Sequence, residues 1–265
     1  FKDITSAFLR DYEMYLINDV NNHINTVQAD FKRIKTCMYN AIREGILPNY
    51  QNPFNNYKIK HQPTFKDKLN ISEIQKIENA KLQKDTPEWH AKNFFLFSFY
   101  CAGIRFGDFC TLKWSNIENS RLKYIMSKTK GTDNSYRDIP LYKKQIEILD
   151  SYKNINDTDC YIFPILENED NKLRPTDIKK RIASKNTTIN RALKLVKLKS
   201  KVETNITFHI ARHSFADIAR KINKFDITSL SKTLGHSSIQ ITQVYLDNND
   251  FDAQDKIIKS VINES

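Results

Sequence analysis

Four short segments carry residue types that do phosphate or proton chemistry when a fold brings them together. The first is A-G-I-R-F-G-D over 102–108, where Arg105 directly follows an aromatic run and Asp108 stands three residues on. Alone, an arginine at a helix start with a carboxylate at i+3 reads as a surface pair. The second is T-F-H-I-A-R-H-S-F over 207–215, which sets His209, Arg212 and His213 on adjacent positions of a predicted helix. The i, i+4 histidines have zinc-ligand spacing, but the metalloprotease motif needs Glu after the first His, and Ile210 stands there. The third is L-G-H-S-S over 234–238, a turn opening a helix, with His236 at its head. The fourth is Tyr245, nine residues after His236, one tyrosine among twelve. Guanidinium groups bind oxyanions bidentately, imidazoles move protons near neutrality, and a tyrosine hydroxyl is a latent nucleophile.

The composition narrows the partners. The 265 residues carry 42 Lys+Arg against 31 Asp+Glu, a formal net charge of +11, which points to a polyanion, with nucleic acid ahead of a membrane surface. Eleven basic residues fall in 172–201, against Asp177 alone, while 246–265 is acidic. Within that stretch Ile178, Ile182, Ile189, Leu193 and Val196 recur at steps of four, seven, four and three. That is one helix or two, with a buried stripe and a basic outer face. Its Lys179, Lys180, Arg181, Lys185, Arg191, Lys194 and Lys197 are the candidate phosphate contacts; too few acids lie nearby in sequence to pair with them.

The five glycines exclude the common nucleotide loops, because no pair has G-x-x-x-x-G-K or G-x-G-x-x-G spacing. No cofactor and no metal are expected. Four cysteines without C-x-x-C spacing argue against a zinc ribbon or disulfide framework and fit a reducing cytoplasm. The longest apolar run, 94–104, is interrupted by Ser98 and is too short to span a bilayer, so no membrane partner is expected. The chain begins with Phe1 rather than Met, which reads as a fragment of a longer protein.

The elements that must position these residues are mostly helical. Residues 4–19 present Phe8, Leu9, Tyr12, Tyr15 and Leu16 on one face. A second helix is capped at Asn25 or Thr26 and ends at Gly45, with Val27, Phe31, Ile34, Met38, Ala41 and Ile42 as its stripe. The pattern stops over 46–68, which holds Pro48, Pro53 and Pro63, and the linker proper is placed at 63–68. A short helix follows Asn70 or Ser72, and Pro87 opens a stronger one. Residues 121–126 and 136–141 alternate as a hairpin around a polar turn, and further helices are expected at 142–153, 175–198, 208–221, 226–233, 238–246 and 251–262. The expected fold is mainly α with a small antiparallel sheet, in two domains.

Taken together, A-G-I-R-F-G-D, the hairpin turn S-K-T-K-G, H-I-A-R-H-S-F and L-G-H-S-S-I-Q-I-T-Q-V-Y resemble the catalytic signature of the tyrosine recombinase (phage integrase) family. The resemblance is strong over 69–265. Over 1–62 it is moderate, toward the family's helical, SAM-like core-binding domain, here cut short at its N-terminal side. It implies an α+β catalytic domain at 69–265 with a C-terminal exchange helix at 250–262. It also implies metal- and ATP-independent breaking and rejoining of double-stranded DNA through a 3′-phosphotyrosine, to integrate or excise a bacterial mobile element.

By that resemblance Tyr245 is the nucleophile, Arg105 and Arg212 hold the phosphate, and His209 and His236 hydrogen-bond or move a proton. A hairpin lysine protonates the leaving oxygen and Asp108 orients an arginine. Lys128 fits the S-K-T register and Lys130 a K-G reading; Lys128 is favoured. The implied assembly is a homo-tetramer on two paired DNA sites, with accessory DNA-bending proteins as further partners, in the bacterial nucleoid. The competing readings are a type IB topoisomerase-like relaxing enzyme and a non-catalytic DNA-binding module.

Overall fold

The computed structural model describes residues 1–235 except 2, 63, 65–66, 130, 132–134, 154–159, 168–169, 171 and 223–226. His236, Tyr245, Lys130 and the helices expected at 238–246 and 251–262 lie outside the described residues. The chain divides into two compact units, 1–65 and 66–265.

In the first unit, α1 (Ser6–Asn18) begins where the Thr5 hydroxyl accepts from the Phe8 N–H. Helix α2 (Ile24–Arg43) begins two residues earlier than a cap at Asn25 predicts, because His23 Nδ1 accepts from Asn25 N–H and so is the cap. Gly45, at φ +74°, ends it. Leu9, Leu16, Val27, Phe31, Met38 and Ala41 form the core, while Phe8 and Tyr15 of the predicted face stay exposed. The proline-rich stretch after Gly45 is not loose chain. Leu47, Phe54 and Tyr57 are buried on the same core, and the Tyr57 hydroxyl donates to the buried Glu13 carboxylate at 2.9 Å.

The second unit is built around α4 (Pro87–Tyr100). Its buried residues run round the helix, from Ala91 through Phe94, Phe95, Leu96, Phe97 and Phe99, so it sits inside rather than on a surface. Phe109 stacks on Phe163 with centroids 4.4 Å apart, and both are fully buried beside Phe94 and Phe97. Each such ring contributes roughly 1.5–3 kcal/mol. Helix α3 (Ile71–Asn79) starts with a reciprocal Asn70–Glu73 capping box. A five-residue helix α5 (Phe106–Cys110) follows α4 after a sharp turn.

Strands β1 (Ile117–Glu118), β2 (Arg121–Ile125) and β3 (Tyr136–Pro140) make an antiparallel sheet in that order, with Ile125 opposite Tyr136 at the hairpin end. Helix α6 (Lys143–Asp150) follows, then α7 (Pro175–Ser200), a single 26-residue helix that buries Ile189, Ala192, Leu193 and Val196. Ile178 and Ile182 of the predicted stripe are only half-buried. Helices α8 (Ile210–Ile222) and α9 (Ile227–Leu234) complete the described chain. Among the described residues no helix is long and apolar enough to cross a membrane.

Candidate active site

The turn from α4 to α5 places Arg105. Ala102 and Gly103 both adopt left-handed backbone, at φ +58° and +71°, which reverses the chain within two residues. For Ala102 that conformation costs about 1–2 kcal/mol. The turn is fastened from inside: the fully buried Ser98 donates through Oγ to Ile104 O at 3.0 Å, and Gly103 N–H donates to Ser98 O at 2.7 Å. Arg105 is the N-cap of α5 and half-buried. Its Nη1 lies 3.1 Å from Met126 Sδ, its partner among the described residues.

Arg212 on α8 is 3% exposed. Its Nη1 donates to Gly103 O at 2.9 Å and its Nη2 donates to Leu234 O, so one guanidinium spans the α4–α5 turn and the end of α9. The fit is close: a Cβ on Gly103 would stand 2.5–2.7 Å from Cα, Cβ and Cγ of Arg212. Gly103 is therefore required twice, by its φ and by the approach of α8. At the other end, a Cβ on Gly235 (φ +64°) would meet Met126, with Sδ at 2.9 Å. Met126 thus lies against both Arg105 and Gly235, and the two predicted phosphate-holding arginines share one neighbourhood.

His209 lies in the turn before α8 rather than inside the helix, its carbonyl accepting from Arg212 N–H at 3.1 Å. It is exposed, and its ring meets that of His213 edge-on at 4.6 Å. Lys128 is exposed in a 3-10 turn at Ser127–Thr129, directly after β2. Asp108 lies beside the lysine turn. Its buried carboxylate accepts through Oδ1 from Ser127 N–H at 2.9 Å and Ser127 Oγ at 2.6 Å, so it fastens the lysine turn to α5. Tyr124 lies between these charges. Burial pushes its phenol up to about 12, against the opposing pull of Arg137 and Arg212, so it stays neutral near pH 7.

The α7 cations divide. Arg181 pairs with the buried Asp170, so the acid that the sequence seemed to lack comes from the preceding loop. Lys179, Lys180, Lys185, Arg191, Lys194 and Lys197 have no carboxylate partner among the described residues. The first unit adds a feature that the sequence reading missed: an open cleft of about 660 Å³ lined by Lys32, Lys35 and Lys58 with Phe54 and Tyr57. These lysines are scattered in sequence, so no charge run marked them.

Comparison with known proteins decides the family. Residues 68–251 match the phage integrase family and residues 1–59 its SAM-like domain. The chain belongs to the phage integrase family. Members of this family of tyrosine recombinases break and rejoin DNA strands. The chain is 30% identical over 146 residues to the tyrosine recombinase XerA of Thermococcus onnurineus, a match covering 55% of this chain but only 47% of that protein. It is 23% identical to XerD of Rickettsia conorii, over 92% of this chain and 79% of the relative. Among solved structures, a lambda integrase dimer bound to a COC' core site aligns with TM-score 0.66 at 19% identity, over 94% of this chain and 82% of that one. The Tn1549 transposon integrase, in complex with a circular intermediate DNA, gives TM-score 0.67 at 15% identity, over 98% and 86%. At those identities the likeness speaks to the fold.

Proposed function

We propose that this chain is a site-specific DNA recombinase that cleaves and rejoins strands through a 3′-phosphotyrosine at Tyr245, integrating or excising a mobile element. The observation that carries the reading is the shared neighbourhood of Arg105 and Arg212 around Met126, with the Lys128 turn fastened alongside through Asp108. Two guanidiniums supply a bidentate grip on the non-bridging oxygens and stabilise charge developing on a pentacoordinate phosphorus. The Tyr245 oxygen bonds to phosphorus as the bond to the 5′ oxygen breaks. That oxygen takes a proton from Lys128, and His209 or His236 receives the tyrosine proton. The ester keeps the bond energy, so rejoining is the same step reversed.

Binding in this reading is shared between the unpaired lysines of α7 and the Lys32–Lys35–Lys58 cleft, both suited to backbone phosphates. Double-stranded DNA as partner, and a tetramer on two paired sites, are supported by the solved lambda integrase tetramer bound to a Holliday junction, which aligns over 92% of this chain.

The test uses a duplex selected from a randomised pool by binding to the full chain, then nicked at successive positions to trap cleavage. A covalent protein–DNA adduct that forms in EDTA and is lost in Tyr245→Phe is expected. Strict metal dependence, or an adduct that survives Tyr245→Phe, overturns the mechanism. Relaxation of supercoiled DNA without pairing of two sites overturns the recombinase assignment in favour of a topoisomerase.

A further inference from the structure

Arg137 was not among the residues that the sequence singled out, yet it contacts the end of α9 directly. On β3 it shares a face with the buried Ile139 and stands opposite Tyr124, an inward position where a strand ordinarily places an apolar residue. Its Nη1 donates to Lys232 O at 2.7 Å and its Nη2 donates to Thr233 O. The next carbonyl, Leu234 O, is the one held by Arg212. Three successive carbonyls at the C-terminal end of α9 therefore accept from guanidiniums on two other elements. Helix ends leave such carbonyls without intrahelical partners and carry partial negative charge, so a cation there is favoured on both counts.

The clamp is comparable to what else holds α9. Its described apolar anchorage is a small cluster with Leu230 and Leu234 as the α9 members and Ala216 of α8 beneath them. Burial of two leucines and two hydrogen bonds from a charged donor are contributions of similar size. The arginine stem also borders Gly235: a Cβ there would lie 3.4 Å from Arg137 Cδ, beside Met126.

We infer that Arg137 is a positioning residue for strand cleavage: by clamping the carbonyls of Lys232 and Thr233 it fixes where the chain leaves α9 toward His236. This rests on the assignment of His236 and Tyr245 to the reaction.

The experiment compares Arg137→Met, which keeps the stem and removes the fork, with Arg137→Lys, which restores one donor. Adduct formation is timed on the nicked duplex at saturating DNA, and DNA affinity is measured separately. Arg137→Met is expected to slow cleavage about tenfold to a hundredfold, with Kd within about threefold of wild type and partial recovery in Arg137→Lys. In a His236→Ala background the same substitution is expected to cost under about twofold more, since both act through one turn. Amide exchange over 228–235 is expected to quicken in Arg137→Met.

Unchanged exchange, a wild-type cleavage rate, or a loss that multiplies in full on His236→Ala overturns the inference. A rise in Kd that accounts for the whole loss makes Arg137 a phosphate ligand instead. Should Arg137→Met not fold, Arg137→Lys carries the same rate and exchange comparisons. An adduct that survives Tyr245→Phe overturns the underlying reaction assignment and leaves the exchange result to decide the clamp.

Discussion

Arg105 and Arg212 are the same residue type in the same neighbourhood, but the molecule treats them differently. Arg212 is buried, and both of its terminal nitrogens are bonded to backbone carbonyls from distant segments, Gly103 and Leu234. Arg105 is half-exposed at a helix start, and a thioether is its partner among the described residues. In the proposed reaction one arginine is structural as well as chemical, and the other is kept available. A site that must bind a phosphate tightly only while its charge is changing gains from this division. The built-in cation holds its geometry without DNA, and the available one has little to break before it meets the phosphate.

The largest effect should come from removing the space that lets Arg212 reach its place. Gly103→Ala combines left-handed backbone with a Cβ at 2.5–2.7 Å from Arg212. It should destabilise the catalytic unit by about 3–5 kcal/mol, read by urea unfolding, and abolish adduct formation.

Arg212→Lys and Arg105→Lys separate the two roles more finely. Both should stop cleavage. Arg212→Lys should also lower stability by about 2–4 kcal/mol, whereas Arg105→Lys should stay within about 0.5 kcal/mol. Equal unfolding midpoints for the two variants would dissolve the distinction.

Gly235→Ala tests the opposite wall. The neighbour there is the end of Met126, a flexible side chain rather than backbone, so about 1–2 kcal/mol is expected, with a larger proportional loss of cleavage.

The smallest effect concerns pH. Burial pushes the Asp217 carboxyl up, but hydrogen bonds from Lys221 and Lys68 outweigh it and hold it below its ordinary 3.8. Because the folded value is the lower one, this contribution to α8 stability is complete above pH 3.8 and is lost as pH falls below it. Asp217→Asn should be less stable at neutral pH and show a flatter loss on the acid side.

Much of this was legible in the chain. The Pro87 helix start and the 121–126 and 136–141 hairpin follow from capping chemistry and periodicity, which left the α3 cap between Asn70 and Ser72 and α7 between one helix and two. Strand β1 was not, because two residues cannot show alternation; nor was α5, which has only five. Glycine 103 was visible as a residue but not as a contact, since its partner lies 109 positions away. Arg137 had a faint signal, a charge on the inward side of an alternating strand, but its target is a set of carbonyls on α9, and carbonyls leave no mark in a sequence. Asp108 could be placed near the site but not assigned to Ser127, since proximity in a motif does not say which donor a carboxylate meets.

The long reach of Arg212 also bears on the order in which the chain folds. Its two carbonyl partners lie 109 and 22 residues away, and the Arg137 clamp spans 95. Contacts of that span close late, after helices and hairpins have formed locally. The basic face of α7 needs only a helix to exist, whereas the arginine grip needs nearly the whole second unit. On the proposed reading a newly made chain therefore acquires its DNA-binding charge before the arrangement that cuts, and scission is withheld until the fold is complete.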